Sequence, residues 1–232
     1  MCGIVGYTGP QSAVVPLIEG LRRLEYRGYD SAGIALGTPG TLFIEKRAGK
    51  LVNLEESLDE SLPVVHSGIG HTRWATHGAP NDINAHPHFS NDETIAVIHN
   101  GIIENYAVLK KELISKGYIF KSETDTEVLV HLIDDIRKKE NVWFGEALRM
   151  ALHYVIGAYA IVVISKDHPN QLVAARKSSP LVVGIGSEGD FYFASDATPI
   201  IEYTKRVVYL EDEEIAVVDL KEGLRVYNIG DQ

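Results

Sequence analysis

The second half of the chain is dominated by short apolar runs, in many of which apolar residues follow one another without polar alternation. In chain order the runs are "AYAIVVIS", "QLVAAR", "LVVGIG", "DFYFAS", "RVVYL", "EIAVVDL" and "LRVYN". A strand that is apolar at successive positions has to be covered on both faces. We therefore expect these strands to lie in a sheet with a packed layer on each side.

Amphipathic segments separate this region from a second β-rich part near the N-terminus. The N-terminal segments with strand character are "CGIVGYT", "SAGIALG", "TLFIEKRAG", "HSGIGHTRWATH" and "TIAVIHN". Helices are predicted where apolar residues recur at helical spacing, in "SAVVPLIEGLRRLEY", "IENYAVLKKELISKG", "DTEVLVHLIDDIRKK" and "WFGEALRMALHYV". Strands at both ends with helices between them predict an α+β fold, although the pattern does not determine the strand order.

A single domain over residues 1–232 accounts for the length and composition of the chain. Of its 232 residues 45% are hydrophobic and 23% charged, and we find no internal repeat, low-complexity tract or linker. A chain of this size buries about 70% of its unfolded surface, so it needs no covalent staple. The formal net charge of −10 disfavours nucleic acid and anionic membranes as partners, because both require a basic surface.

Cysteine usage and the N-terminal residues bear on the compartment. One cysteine excludes an internal disulfide and a Cys-based zinc cage. The chain has neither the basic and apolar segments of a signal peptide nor a window of about 20 apolar residues. We therefore expect the protein in the cytoplasm, where a free thiol stays reduced.

The lone cysteine, Cys2, stands directly before the apolar run of "MCGIVGYTG". A free cysteine is most often a small buried hydrophobe, and that alternative applies here. Because the small residue Gly3 follows, Met1 can be removed, which makes Cys2 the N-terminal residue. Its α-amine, with a reference pKa of about 7.7–8.0, can then take the proton of its own thiol. The position thus predicts a nucleophile that carries its own base.

Three other segments carry charged or polar side chains that are candidates for binding or catalysis. Arg73 in "HTRWATHGAP" offers a fork for a carboxylate and Trp74 a flat apolar cover, although a polar strand end explains both equally well. Asn100–Gly101 is first of all a hairpin-turn signal, yet a helix follows it, and an amide beside a backbone N–H can stabilise an oxyanion. Asp125 in "SETDTEV" can face a cationic amine or belong to a helix cap.

Five histidines suggest a metal site, but their spacing does not support one. They are His71, His77, His86, His88 and His99. Without an HExxH motif, a His-rich tract or a clear third ligand, we interpret them as hydrogen-bonding residues and expect no metal and no cofactor. Arg27, Gly28 and Asp30 in "RRLEYRGYDSAG" indicate an ordered turn near the Cys2 strand, and an ordinary surface loop is the alternative.

Six motifs, taken together and in this order, resemble the glutaminase domain of glucosamine-6-phosphate synthase. They extend over most of the chain and read "MCGIVGY", "LRRLEYRGYDSAG", "HTRWATHG", "NAHPH", "HNGIIEN" and "SETDTEV". Amidophosphoribosyltransferases and asparagine synthetases share the initial Cys-Gly-Ile and an Arg-Gly motif, but the longer motifs are more similar to the first family. The resemblance implies the fold of N-terminal-nucleophile hydrolases, a four-layer αββα sandwich of two antiparallel sheets.

The resemblance also implies a reaction, in which Cys2 attacks the side-chain amide of L-glutamine, ammonia leaves, and water cleaves the thioester to glutamate. By the same resemblance, the Cys2 α-amine is the general base, and Asn100 with Gly101 forms the oxyanion hole. Arg73 binds the α-carboxylate of the substrate, Asp125 binds its α-amine, and Thr76 and His77 line the same pocket. Trp74 corresponds to the residue that gates the passage of ammonia, and Arg27 to the one that orders the N-terminal loop.

Further partners follow from the same resemblance. Sugar-isomerase domains, which use the ammonia to aminate fructose 6-phosphate, are expected downstream of this chain. The sequence does not determine whether the protein forms a homo-oligomer. Alone, the chain is expected to release free ammonia. Two alternatives remain, a glutaminase domain serving another acceptor such as phosphoribosyl pyrophosphate, and a catalytically silent glutamine-binding module. A metal-dependent hydrolase is a third.

Overall fold

Two antiparallel β-sheets lie at the centre of the computed structural model, which describes residues 2–58, 62, 64–75 and 78–231. The strands are β1 (Gly3–Thr8), β2 (Ser31–Thr38), β3 (Thr41–Ala48), β4 (Ser67–Arg73), β5 (His88–Phe89), β6 (Ile95–Ile103), β7 (Gly157–Ser165), β8 (Gln171–Lys177), β9 (Val182–Ile185), β10 (Phe191–Ala194), β11 (Val207–Tyr209), β12 (Glu214–Asp219) and β13 (Gly223–Asn228). The seven-stranded sheet has the order β11-β9-β10-β1-β4-β2-β3, and the six-stranded sheet has the order β13-β12-β8-β7-β6-β5.

Helices cover the outer face of each sheet. They are α1 (Val14–Leu24), α2 (Leu51–Ser57), α3 (Tyr106–Ser115), α4 (Thr126–Glu140) and α5 (Phe144–Leu152). The first two pack on the seven-stranded sheet and the other three on the six-stranded sheet, which confirms the αββα layering. Within the described residues, no helix is long and apolar enough to cross a membrane.

The alternation of side chains along the central strands explains the uninterrupted apolar runs. In β7, Ile161 and Val163 face the helices, whereas Val162 and Ile164 face the interior between the two sheets. All four side chains are fully buried. Because successive residues of a strand point to opposite faces, a strand in the middle of four layers must be apolar at both parities.

The first strand is packed in the same way and sets the position of the N-terminus. Ile4 lies between the sheets, while Val5 and Tyr7 belong to the cluster under α1. Gly3 pairs with Thr72 and Ile4 with His71, so the start of β1 lies beside the end of β4. Residues at these two strand ends, 67 and 69 positions apart in sequence, therefore meet at one end of the sheet.

Two local features differ from the sequence expectation. Helix α2 was not predicted, because it has only seven residues and buries only Leu51 and Leu54. The turn signal at Asn100–Gly101 is not a turn, since β6 continues through both residues to Ile103 and pairs with β7. Gly101 has a φ of +129°, and a Cβ there would lie 2.0 Å from the Ala158 carbonyl oxygen. Glycine is needed at this position because it adopts this φ and lets the backbone of β7 approach β6.

The packing between the sheets predicts a large effect of truncating one interior side chain. We expect Ile164→Ala, which empties space in the fully buried inter-sheet layer, to lower the free energy of unfolding by about 2–5 kcal/mol. Ile114→Ala on the exposed side of α3 is the matched control and should change it by about 0.5 kcal/mol or less. Urea titration followed by circular dichroism measures both, and equal effects would contradict this assignment of the core.

Candidate active site

A cavity of about 370 Å³ opens where strands from both sheets end. Its walls come from the residue before β1, the end of β4, the middle of β6, the start of α4 and the segment after β8. The lining residues are Cys2, Arg27, Arg73, Trp74, His86, His99, Asn100, Gly101, Ile102, Thr124, Asp125, Thr126, Ser179 and Pro180. Seven of the nine residues singled out in the sequence line this space, and the other two, Thr76 and His77, lie outside the described residues.

The thiol of Cys2 is held against the backbone of Trp74. The Trp74 N–H donates to the Cys2 sulfur at 3.2 Å, and the thiol donates to the Trp74 carbonyl at 3.5 Å. Burial raises the pKa of the Cys2 thiol above its ordinary value, and the hydrogen bond from the Trp74 N–H opposes this shift. The thiol is therefore neutral near pH 7, and a base beside it is needed to make it a nucleophile.

Arg27 holds the backbone of the same cysteine. Its guanidinium donates to the Cys2 carbonyl oxygen at 3.2 Å and forms an ion pair with Asp196. The Asp196 carboxylate also accepts the Tyr26 hydroxyl at 2.8 Å. The turn after Arg27 requires glycine, because Gly28 has a φ of +74° and a Cβ there would lie 2.9 Å from the Trp74 ring. This is the ordered turn predicted near the Cys2 strand.

Asn100 reaches the other side of the same carbonyl group. Its Nδ2 donates to the Cys2 carbonyl oxygen at 3.1 Å, and its Oδ1 lies 2.9 Å from Nε2 of His71. Gly101 follows in the cavity wall. The amide of Asn100 and the backbone of Gly101 therefore line the same cavity as Cys2, and a tetrahedral oxyanion formed on Cys2 needs hydrogen-bond donors there.

One buried cation and one buried anion complete the cavity. Arg73 is 4% exposed and donates to the carbonyl oxygens of Gly78 and Ala79, at 3.3 Å each. Asp125 is 5% exposed, and one of its carboxylate oxygens accepts the Ile103 N–H at 2.8 Å. A zwitterionic ligand fits such a pair, because each charged end finds a partner of opposite sign in a low dielectric.

Asp30 fixes the segment that carries Arg73 and Trp74. Its backbone N–H donates to the Arg73 carbonyl oxygen at 2.7 Å, and its carboxylate accepts the Ala75 N–H at 2.5 Å. The Trp74 side chain stays 53% exposed at the mouth of the cavity. The sequence assigned Asp30 to a turn only, whereas the structure gives it a role in placing the Trp74 backbone beside the thiol.

Four histidines form a buried cluster behind the cavity. The ring of His71 stacks on His86 at 4.2 Å between centroids, and His86 meets His88 edge-on at 4.9 Å. The fourth member is His99. Burial lowers the pKa of His71 to about 3, and it also lowers the pKa values of His86, His88 and His99. Among the described residues, no group of three or more His, Cys, Asp or Glu side chains is arranged to hold a metal ion.

Several lining residues were not assigned to the site from the sequence. They are His86, His99, Ile102, Thr124, Thr126, Ser179 and Pro180. The first five lie inside or beside motifs that the sequence singled out, so their neighbours gave a usable signal. Ser179 and Pro180 follow β8 and stand far from every motif, and only the packing of the sheets brings them to the cavity.

A second cavity, of about 730 Å³, lies between the edge strands β3 and β5. Lys46 lines it, and its ammonium donates to the carbonyl oxygens of Ile83 and Ala85 at 3.1 and 2.9 Å. Burial lowers the pKa of Lys46 to about 8. None of the seven predicted site residues that the structure describes lines this larger space, so size does not identify the reactive site.

Comparison with known sequences places the chain among amidotransferases. A family model described as "Glutamine amidotransferase domain" matches residues 71–202. The chain is 57% identical over 230 residues to glutamine–fructose-6-phosphate aminotransferase (isomerizing) of Bacteroides thetaiotaomicron, covering 99% of this chain and 37% of that protein. The protein of the same name from Thermus thermophilus is 52% identical over 229 residues, with the same shares covered. The chain thus spans little more than a third of these curated relatives.

Solved structures show the same architecture. Glutamine phosphoribosylpyrophosphate amidotransferase from B. subtilis, complexed with ADP and GMP, superposes with a TM-score of 0.83 at 26% identity, covering 100% of this chain and 50% of that one. A glutamine aminotransferase class-II domain protein from Silicibacter pomeroyi gives a TM-score of 0.63 at 16% identity over 99% of this chain and 100% of that one. The second likeness supports the fold alone.

The environment of Cys2 predicts how its reactivity depends on pH. In the chain that retains Met1, we expect the rate of alkylation by iodoacetamide to rise with pH about a midpoint higher than that of an exposed thiol, because only the thiolate reacts and burial raises the pKa of Cys2. The chain has one cysteine, so stopped-time mass spectrometry reports this site alone. N-acetylcysteine amide is the control, and a protein midpoint at or below that of the small thiol would contradict the prediction.

Proposed function

The chain belongs to the glutamine amidotransferase domain family, and from that premise we propose that Cys2 hydrolyses the side-chain amide of L-glutamine to glutamate and ammonia. The observation that carries the proposal is one cavity that the partly buried Cys2 lines together with Asn100, Gly101, Arg73 and Asp125. A nucleophile, an oxyanion site, a cation and an anion are the groups that an amino-acid amide requires, and each is present in this space.

The proposed base is the α-amine of Cys2 itself. Once Met1 is removed, this amine is free, and its reference pKa of about 7.7–8.0 leaves part of it unprotonated near neutral pH. It takes the thiol proton directly or through one water, the sulfur attacks the amide carbon, and the proton passes to the leaving ammonia. Water then attacks the thioester carbon, the carbon–sulfur bond breaks, and glutamate leaves. The raised pKa of the thiol makes such a base necessary.

Negative charge develops on the amide oxygen in both steps. The Asn100 amide and the Gly101 backbone are proposed to donate to it, and one such donor is typically worth about 3 kcal/mol of transition-state stabilisation. The positions of the donors are set before substrate binds, since Asn100 is tied to the Cys2 carbonyl and to His71. Arg27 keeps that carbonyl in place from the other side.

The ends of glutamine are assigned to the charged residues of the cavity. Arg73 is proposed to bind the α-carboxylate through its planar fork, and Asp125 to bind the α-amine. Thr76 and His77 are proposed to line the same pocket, and Trp74 to cover it and gate the passage of ammonia. Because Arg73 and Asp125 are both buried, a ligand lacking either charge would lose one of these charge-assisted contacts.

For the longer protein to which this domain corresponds, we propose that the ammonia aminates fructose 6-phosphate on downstream sugar-isomerase domains, in the cytoplasm. The names and identities of the relatives from Bacteroides thetaiotaomicron and Thermus thermophilus support this acceptor. The fold shared with the phosphoribosylpyrophosphate amidotransferase fits the alternative acceptor, but at 26% identity against 57% it is the less supported of the two.

Replacement of the nucleophile tests the proposed chemistry. We expect the chain with Met1 removed, verified by intact mass, to convert L-glutamine to glutamate, and Cys2→Ala to lower kcat by at least about 10⁴-fold. Calorimetry should show that Cys2→Ala still binds glutamine. A processed parent protein that binds glutamine but releases no ammonia would instead support the silent module. Full activity in a sample that retains Met1 would contradict the α-amine as base.

Replacement of the cation tests the proposed orientation of the substrate. We expect Arg73→Ala to raise KM for glutamine about tenfold to a hundredfold, because a charged hydrogen-bonding partner is worth about 1.5–3 kcal/mol. Arg47→Ala, which removes an arginine from the larger cavity, is the matched control and should leave KM unchanged. Steady-state measurement of ammonia release gives both values, and an unchanged KM in Arg73→Ala would contradict the assignment.

A further inference from the structure

The side chain of Asn100 can serve an oxyanion in only one of its two orientations. An asparagine amide presents an acceptor oxygen on one side and an NH₂ donor on the other, and a half-turn exchanges them. The Cys2 carbonyl oxygen, 3.1 Å from the amide nitrogen, is an acceptor and requires the NH₂ group to face it. The amide oxygen then faces Nε2 of His71 at 2.9 Å.

This arrangement determines which nitrogen of His71 carries the proton. The Asn100 Oδ1 atom accepts and cannot donate, so Nε2 of His71 must be the protonated nitrogen. Burial lowers the pKa of His71 to about 3, because an imidazolium in this fully buried position would lose its hydration. The Asn100 side chain and the His99 backbone oppose this shift of the pKa without reversing it. The ring is therefore neutral near pH 7, with one proton placed toward Asn100.

The packing around His71 keeps its ring in place. His71 lies in β4, where it pairs with Ile4 on one side and Gly33 on the other. Its face stacks on His86 at 4.2 Å with 16° between the ring planes. A Cβ at Gly33 would lie 2.2 Å from the His86 carbonyl oxygen, so the glycine lets the backbone of His86 approach the sheet. The orientation of the ring thus follows from sheet packing.

We propose that His71 is a positioning residue that locks the Asn100 amide with its NH₂ group toward the substrate. The inference rests on the proposed glutamine hydrolysis and adds to it the group that keeps the oxyanion donor correctly turned. One N–H of the Asn100 amide is used by the Cys2 carbonyl, and the second remains for the developing oxyanion. Without the His71 donor, the Asn100 oxygen would be unpaired in a buried site and the amide would turn.

Two substitutions separate positioning from simple packing. His71→Leu keeps a side chain of similar size and removes the hydrogen-bond donor, so we expect kcat for glutamine to fall at least about tenfold. The upper limit is the loss of about 10²–10³-fold in kcat that removal of one oxyanion donor causes. KM should change by about threefold or less, because the interaction strengthens in the transition state. His71→Gln offers an amide N–H near the place of Nε2 and should recover most of kcat.

A second buried histidine supplies the matched control. His131 in α4 is fully buried, its Nε2 lies 3.5 Å from a carboxylate oxygen of Glu127, and it does not line the cavity. His131→Leu should therefore change stability without changing kcat of the folded protein. Thermal unfolding of each variant shows how much is folded at the assay temperature. Equal losses of kcat in His71→Leu, His71→Gln and His131→Leu would overturn the inference.

Two further measurements bear on the same group. The γ-aldehyde analogue of glutamine adds the Cys2 sulfur to its carbonyl and forms an oxyanion, so its affinity should fall in His71→Leu by the same factor as kcat. In the unsubstituted protein, ¹⁵N shifts of the His71 ring should show a protonated Nε2 and a bare Nδ1 between about pH 5 and 8. The opposite tautomer would overturn the inference.

The outcomes also distinguish this inference from the function on which it rests. A processed parent protein that hydrolyses glutamine, together with His71→Leu at the parental kcat, would overturn the positioning role alone. A processed parent protein that does not hydrolyse glutamine would overturn the proposed function and the positioning role with it.

Discussion

The stacking of two antiparallel sheets, each covered on both faces, is the constraint on which the rest of the structure depends. Central strands such as β7 have no solvent-facing side, so their middles can hold only apolar side chains. Reactive groups are therefore confined to strand ends and neighbouring segments. Cys2 precedes β1, Arg73 ends β4, Asn100 lies in the last part of β6, and Asp125 precedes α4. Cys2 and Arg73 meet at one cavity because β1 starts and β4 ends there, and the packing of the second sheet brings Asn100 and Asp125 to the same place.

Within the cavity, a connected set of hydrogen bonds holds Cys2 in place. Asp196 pairs with Arg27, Arg27 and Asn100 both donate to the Cys2 carbonyl oxygen, and His71 faces the Asn100 oxygen. Each member limits the freedom of the next, and burial strengthens every one of these interactions. The thiol and the histidines stay neutral there, whereas Arg73 and Asp125 supply the two charges. A cation and an anion are thus in place on the walls of the cavity where a zwitterion would bind.

Much of the fold could be predicted from the sequence, because most helices and strands have a recognisable local pattern of apolar residues. The run "AYAIVVIS" became β7 with alternating faces in two hydrophobic layers, and "DTEVLVHLIDDIRKK" became α4. Helix α2 escaped prediction because seven residues with two buried leucines give almost no periodic signal. Asn100–Gly101 has the sequence of a tight turn, and only the approach of the Ala158 carbonyl oxygen shows why a glycine stands inside a long strand.

The residue types of the site were determined by the sequence, since Cys2, Arg73, Asn100 and Asp125 each carry the chemistry in their own side chains. Their orientation was decided by the tertiary structure. The tautomer of His71, the rotation of the Asn100 amide and the position of the Trp74 backbone against the thiol follow from contacts between residues far apart in the chain. A hydrogen bond depends on distance and angle, which local sequence does not encode, so the strand pairing of β1 with β4 and β6 with β7 had to form before these groups could act together.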